Sequence, residues 1–427
     1  MENLEDIQMR KRNMRLFPIY KTLSWDYLFF YTINFLFLTQ IKNINPADVL
    51  IIDSFYYLFG MISQIPATFI VERLGRRNSI IAANILNALY MVIIIFSSNL
   101  ANLITAEIVS ALAFGLKEIA DPSLLNESIP SSKNKSKIFA KINEKGASRY
   151  YILNAISTVL AGILFQISGY IPIVISAIII VIAAILSCNF IEPIKKQKVK
   201  IEHENIYEDL KKGFKFVLTS ERLKSLLLYS AIMGSLLCIM KTYEINLLEN
   251  LNISSVIIGI LFATLELTSG IASKNQNRVH KRFKNKSLQM IAIGTIVSIF
   301  ITGITALTVK NIYITMIIIV VSYILKYICS GLYYNLMEKY LRNFANEKID
   351  TKIFAVNKLL KSTICAITGI CASFLLERLN TIYCILIVGL VYAVFVFLIC
   401  KYMKPRVGLP PEKYNKNERK YDELKVE

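Results

Sequence analysis

Long apolar runs alternate with short polar breaks along nearly the whole chain. A helix rises ~1.5 Å per residue, so ~20 residues cross a hydrocarbon core of ~30 Å. Twelve runs reach that length: 17–41, 47–71, 78–98, 101–125, 143–168, 170–191, 222–248, 254–273, 287–308, 311–338, 351–377 and 380–403. The pattern predicts an all-α membrane protein with twelve transmembrane helices. The longest internal break, residues 192–221, divides them six and six. Within it Ile206, Leu210, Phe214 and Val217 recur at helical spacing, with Lys211, Lys212 and Lys215 between them. That spacing fits an amphipathic helix on the membrane surface or a solvated linker helix. The chain therefore divides into a tail (1–16), a first six-helix half (17–191), the linker (192–221), a second half (222–403) and a second tail (404–427).

Charge gives the orientation. Of the 49 Lys and Arg residues, forty fall in the tails and in alternate breaks, on one side of the predicted membrane. Three, Lys42, Lys310 and Arg378, fall on the other. The positive-inside rule then places both termini in the cytoplasm. A net charge of +19 can mark a nucleic-acid partner, but these bases sit in short loops between apolar runs, so no nucleic acid is expected. With 55% hydrophobic residues and a mean hydropathy of +0.50, the chain is too apolar for a soluble domain. Its seven cysteines all lie in apolar runs without a CxxC pair, and His203 and His280 lie far apart. Neither a metal site nor a cofactor is predicted. The polar first sixteen residues and the long run after them do not fit a signal peptide.

The break after the second run carries the most specific pattern. It reads Glu72-Arg73-Leu74-Gly75-Arg76-Arg77, preceded by Gln64-Ile65-Pro66. The glycine permits a tight turn and the arginines anchor the loop on the cytoplasmic side. Beyond that, the stretch resembles the loop motif of the major facilitator superfamily, G-x-x-x-(D/E)-R-x-G-R-R, between transmembrane helices 2 and 3. Thr68 stands in place of the first glycine. Lys281-Arg282-Phe283-Lys284-Asn285-Lys286, after the eighth run, is a degenerate second copy. The resemblance covers about residues 15–405. It implies two parallel six-helix halves, a central cavity lined by helices 1, 4, 7 and 10, and lipid-facing helices 3, 6, 9 and 12. It also implies that Glu72, Arg73, Gly75, Arg76 and Arg77 form a cytoplasmic gate. There Glu72 meets the helix start near Asp350, and Arg76 or Arg73 pairs with Glu127.

Charges inside the runs follow the same division. A charge at the bilayer centre costs at least ~2.5–3.5 kcal/mol, so such residues face protein or water. Runs 1, 4, 7 and 10 carry Asp26; Glu107, Lys117, Glu118 and Asp121; Lys241 and Glu244; and Lys326. Runs 2, 5, 8 and 11 carry Asp53, Arg149, Glu266, and Lys358 with Lys361; the interiors of runs 3, 6, 9 and 12 carry none. Lys117 and Asp121, four apart, also fit a structural ion pair on one helix. Aromatic neighbours surround Asp26, and Tyr243, Tyr323, Tyr327, Tyr333 and Tyr334 add an amphipathic wall that suits flat, apolar, often cationic compounds. The candidate cavity residues are thus Asp26, Lys117, Glu118, Asp121, Lys241, Tyr243, Glu244, Tyr323, Lys326 and Tyr327. A carboxyl in such surroundings is the group that can carry a coupling proton. Asp26 is the first candidate, with Lys326 across the cavity as its counter-charge, and Glu118 and Glu266 are the substitutes.

No G-x-x-x-x-G-K-[ST] loop is present, so a transporter of this kind is driven by an ion gradient or by its solute's own gradient. The segment Gly115-Leu116-Lys117 and the exit Leu124-Leu125-Asn126-Glu127-Ser128 resemble multidrug members. By contrast, Glu107 with Ala111 replaces their R-x-x-x-G pattern. The run Ala161 to Gly169 keeps only part of their G-x-x-x-G-P-x-x-G-G pattern. The resemblance implies a bacterial inner-membrane secondary transporter, a monomer that exports apolar or amphipathic small molecules against protons. An importer of a small anionic solute bound by Lys326, Lys358 and Lys361 is the alternative within the class. A non-transporting receptor or scaffold is the alternative outside it. No Ser/His/Asp or metal constellation suggests an enzyme.

Overall fold

The computed structural model describes residues 4–130, 135–192, 220–283, 286–344 and 350–404. Among these residues the fold is helical throughout. Chain contacts divide it into two units, one of Met1–Ile201 with Ile253–Ala263, the other of Glu202–Asn252 with Thr264–Glu427.

The first unit holds α1 (Leu4–Ser24), α2 (Phe30–Leu36, continued by a π-helical turn, Phe37–Ile41), α3 (Pro46–Ile62), α4 (Gln64–Leu74), α5 (Arg76–Phe96), α6 (Leu100–Ser128), α7 (Lys135–Ile167) and α8 (Tyr170–Ser187). The second holds α9 (Glu221–Asn250), the later part of α10 (Ser255–Lys274), α11 (Gln276–Phe283), α12 (Ser287–Thr308), α13 (Ile312–Phe344), α14 (Asp350–Arg378) and α15 (Thr381–Met403). Among the described residues nine helices are long and apolar enough to cross a membrane, and the bent pair α3–α4 makes a tenth. The remaining two of the twelve apolar runs are the first, which is interrupted, and the fourth. The fourth is α6, whose 29 residues include Glu107, Lys117, Glu118 and Asp121.

The structure corrects the first two runs. Run 1, expected as one helix over 17–41, breaks between Ser24 and Phe30. Phe29 there takes φ +67°, a left-handed conformation rare for an aromatic residue. Upstream, helix already begins at Leu4, inside the expected tail. Asn13 ties that helix down: its amide donates to Ser128 Oγ (2.9 Å) and Ile191 O (2.8 Å), and its oxygen accepts from Ile191 N (3.0 Å). Run 2 bends by 57° between α3 and α4. Pro66 causes it, because a proline inside a helix removes one backbone donor and its ring crowds the carbonyl four residues back. The amphipathic helix expected at 206–217 lies outside the described residues.

Both units pack their helices in the same order. In the first, α5 packs on α6 and α8, and α1 on α7; in the second, α12 packs on α13 and α15, and α9 on α14. Those are equivalent pairs in each half: spans 3 and 4, 3 and 6, 1 and 5. The match is what a parallel internal repeat produces. A core of Phe17, Tyr20, Val71, Ile80, Leu116, Leu124 and Phe190 joins α1, α4, α5 and α6 near the charged loop. Outward faces stay apolar, as at Phe96, Ile185, Ile293 and Phe397, which is what contact with acyl chains requires. Asparagine caps close the short turns on the side poor in lysine and arginine. Asn45, Asn99 and Asn380 accept from Ala47 N (3.0 Å), Asn102 N (2.9 Å) and Ile382 N (3.2 Å).

Candidate functional site

The motif loop is a two-helix corner closed by carboxylates. Gly75 sits between α4 and α5 with φ +84° and ψ 170°, backbone that only glycine enters without strain. The turn aims the first N–H groups of α5 outward, where a helix start favours negative charge. Glu192 fills that position, with Oε1 and Oε2 each accepting at 2.7 Å from Arg76 N and Arg77 N. A Cβ on Gly75 would stand 2.7 Å from Glu192 Oε1, so the carboxylate occupies the space that the glycine leaves. The expected partnership of Arg76 with Glu127 is formed, through Nη2 (3.0 Å) and Nε (3.1 Å). Both side chains are partly exposed, so this pair is worth ~0–1 kcal/mol. Arg77 ties the C-terminus of α8 to the same corner by donating to Cys188 O at 2.9 Å. Arg73 stacks its guanidinium 4.2 Å from the Phe69 ring and makes no ion pair among the described residues. Sequence reasoning missed Glu192. Its signal was an acid immediately after the sixth apolar run.

Asp26 lies in the break of the first span. Its side chain accepts from the Tyr27 N–H (2.7 Å) and its carbonyl from Leu28 N (3.0 Å), which folds the interruption into a turn. Around it the unit is densely polar. Lys117 donates to the carbonyl of Ser24, the last residue of α1. A cation there meets the negative end of the helix dipole. Lys117 also stands 5.4 Å from the Phe114 ring centre and 5.9 Å from that of Tyr20. The Tyr20 hydroxyl donates to Asp121 Oδ1 at 3.2 Å. Lys117 and Asp121 thus each hold α1, in place of the ion pair along one helix that their spacing suggested. Tyr27 Oη donates to Asn87 Oδ1 (2.8 Å) and lies 2.8 Å from Ser110 Oγ, and Tyr90 Oη donates to the buried Glu107 (3.1 Å). Glu118 lies exposed on α6.

In the second unit Lys326 and Glu244 form a buried ion pair between α13 and α9. Lys326 therefore has a counter-charge within its own unit, where sequence reasoning looked to Asp26. Its ammonium also lies 4.8 Å from the Tyr327 ring centre. Two of the tyrosines expected to wall the cavity are buried and engaged with backbone. Tyr243 donates to Ala372 O (2.8 Å) and Tyr323 to Glu244 O (3.4 Å). They fasten helices, a role that the spacing of tyrosines along one run cannot reveal. Lys241 is half-buried and Glu266 exposed. Tyr333 and Tyr334 instead border an open cavity of about 310 Å³ between α9, α13 and α14, together with Asn357 and Lys361.

Two units with matching helix order, polar charges gathered on particular spans, and a glycine-arginine corner define a polytopic membrane protein built for solute passage. The major facilitator superfamily model matches residues 22–324, and the chain belongs to that superfamily. It is a transporter of the major facilitator type. No curated protein sequence matches the chain. Among solved structures, the nucleoside transporter NupG is similar at 12% identity and TM-score 0.70, over 93% of this chain and 99% of that one. A D-xylose-proton symporter gives 12% identity and TM-score 0.68, over 96% and 98%. A bacterial homologue of the human lysosomal transporter Spinster, inward-facing and unoccupied, gives 13% and 0.64, over 98% and 97%. At these identities the likeness is one of fold.

Proposed function

We propose that the protein is a proton-coupled secondary transporter of a bacterial inner membrane, with both termini cytoplasmic. It acts as a monomer and exports apolar or amphipathic small molecules by alternating access. The observation that carries this reading is Asp26 in the interruption of the first span. A carboxylate beside unwound backbone in a membrane helix is costly unless it works, and broken helices in transporters are where ions and substrates bind. Protonation of Asp26 removes its charge, so the same residue exists in two states that favour different surroundings. Glu118 and Glu266 stand as substitute proton carriers. The corner at Glu72, Arg73, Gly75, Arg76, Arg77 and Glu127 serves as the cytoplasmic gate, with Glu192 as an added member. The similarity to a proton symporter supports a proton-linked cycle without giving its direction.

The test is solute flux in proteoliposomes, using a panel of dyes and antibiotics under an imposed pH gradient. Uphill movement that collapses with a protonophore is the expected result. Flux indifferent to the gradient overturns proton coupling, and uptake toward the cytoplasmic face overturns export.

A further inference from the structure

The cavity in the second unit has a chemistry of its own. Tyr334, Glu338 and Leu341 stand at positions i, i+4 and i+7 of α13, and Phe354, Asn357 and Lys361 at i, i+3 and i+7 of α14. Each set forms one helix face. The Lys361 ammonium lies 5.1 Å from the Tyr334 ring centre. The two helices therefore meet in antiparallel register, which puts Phe354 at the Leu341 end. The pocket is polar and cationic at one end and apolar at the other.

Two details turn this gradient into a recognition pattern. The aliphatic stem of Lys361 runs against Gly234 of α9, where any Cβ would collide with it. The glycine lets the lysine cross its neighbour and present its ammonium at the pocket. Among the described residues Lys361 makes no ion pair. Asn357, next to it on the same face, has a buried side-chain oxygen with no hydrogen-bond partner. A buried acceptor left unmatched costs free energy that a donor on a ligand recovers. Glu338, at the exposed rim, is the one acidic residue lining the cavity among the described residues.

The geometry points to this pocket as a binding site for an amphipathic organic anion. Its acidic group meets the Lys361 ammonium, an adjacent N–H or O–H of the ligand donates to Asn357, and its aromatic or apolar body lies on Phe354 and Leu341. A volume of about 310 Å³ suits a small molecule of this kind, at the lower end of ligand pockets. The inference deepens the proposed transport of amphipathic solutes and rests on that reading for its place in a transport cycle.

The test is equilibrium binding by calorimetry on the purified full chain in detergent, which needs no flux. The probes are N-acetyl-L-phenylalanine, its neutral carboxamide, 3-phenylpropionate, which keeps the acid and lacks the amide N–H, and the tetraphenylphosphonium cation. Expected is at least tenfold tighter binding of the acid than of the carboxamide, about fivefold loss for 3-phenylpropionate, and no binding of the cation. Lys361→Met erases the preference for the acid and Lys361→Arg keeps it. Asn357→Leu erases the preference over 3-phenylpropionate. Binding of the neutral carboxamide, unchanged in Lys361→Met, shows that the pocket still folds in that variant. Equal binding of acid and carboxamide, no binding of the acid, or a Lys361→Met protein that keeps the preference overturns the site. A protein that shows this pattern yet moves solutes independently of the pH gradient refutes proton coupling alone. One that moves dyes with protons but treats acid and carboxamide alike refutes the site alone.

Discussion

Lys326 and Glu244 neutralise each other inside the second unit, both nearly inaccessible to solvent. Removal of one partner leaves a bare charge in an apolar setting and costs about 3–5 kcal/mol, whereas replacement of both by apolar residues of similar size is close to neutral. Lys326→Met and Glu244→Leu singly are expected to lower the thermal unfolding temperature in detergent sharply, and the double substitution to restore most of it. A double variant as unstable as the sum of the two would show that the pair is not the unit of stability.

Gly75 and Glu192 are coupled through space. Gly75→Ala forces a Cβ into strained backbone, ~1–3 kcal/mol, and into the carboxylate. Glu192→Ala uncaps α5 at ~1–2 kcal/mol. With the carboxylate gone the collision vanishes while the backbone strain stays. The double variant should therefore be more stable than additivity predicts, by about 1 kcal/mol. Strict additivity in a thermal-unfolding cycle would refute the contact.

Asp26→Asn keeps the shape of the side chain and removes its proton chemistry. The expectation is loss of gradient-driven flux with folding and substrate binding nearly intact. A variant that still concentrates solute would remove Asp26 from the cycle, and one that fails to fold would make the residue structural.

Single cysteines probe the topology. At Asn45, Asn99 and Asn252 they should react with an impermeant reagent from outside the cell. At Ser132, Asn205 and Asn285 they should stay unlabelled. Outside labelling of the second set would falsify the orientation.

The twelve runs were legible because membrane crossing demands length and apolarity, and both are printed directly in the sequence. The bend in run 2 escaped the reading, although Pro66, its cause, lies within the run. The break in run 1 was not legible. Trp25-Asp26-Tyr27-Leu28-Phe29 has no glycine or proline, and its left-handed residue is Phe29, a type that avoids such backbone. Packing from other helices adds to the local hydrogen bonds of Asp26 in holding it there: Trp25 stacks on Tyr150 at 5.4 Å and Tyr27 on Tyr90 at 4.7 Å. The pairing of Arg76 with Glu127 was readable from a known motif. That of Lys326 with Glu244 was not, because it joins two distant runs and sequence carries no distance between them. Asn357 gave no sign, as an asparagine in an amphipathic setting is indistinguishable from one that caps or packs.

The interrupted first span also decides where this molecule must be wet. Continuous helix shields its amides from acyl chains by itself; the turn over residues 25–29, in which Asp26 accepts from the Tyr27 and Leu28 amides, shields only some of them. Lipid is therefore kept from the Asp26 level by neighbouring helices, and the amides left over there have water as their natural partner. In hydrogen–deuterium exchange the stretch from Trp25 to Phe29 should gain deuterium long before the helical turns above and below it. In the proposed proton-coupled cycle, a hydrated notch of that kind, set within an otherwise dry wall, is where protons arrive.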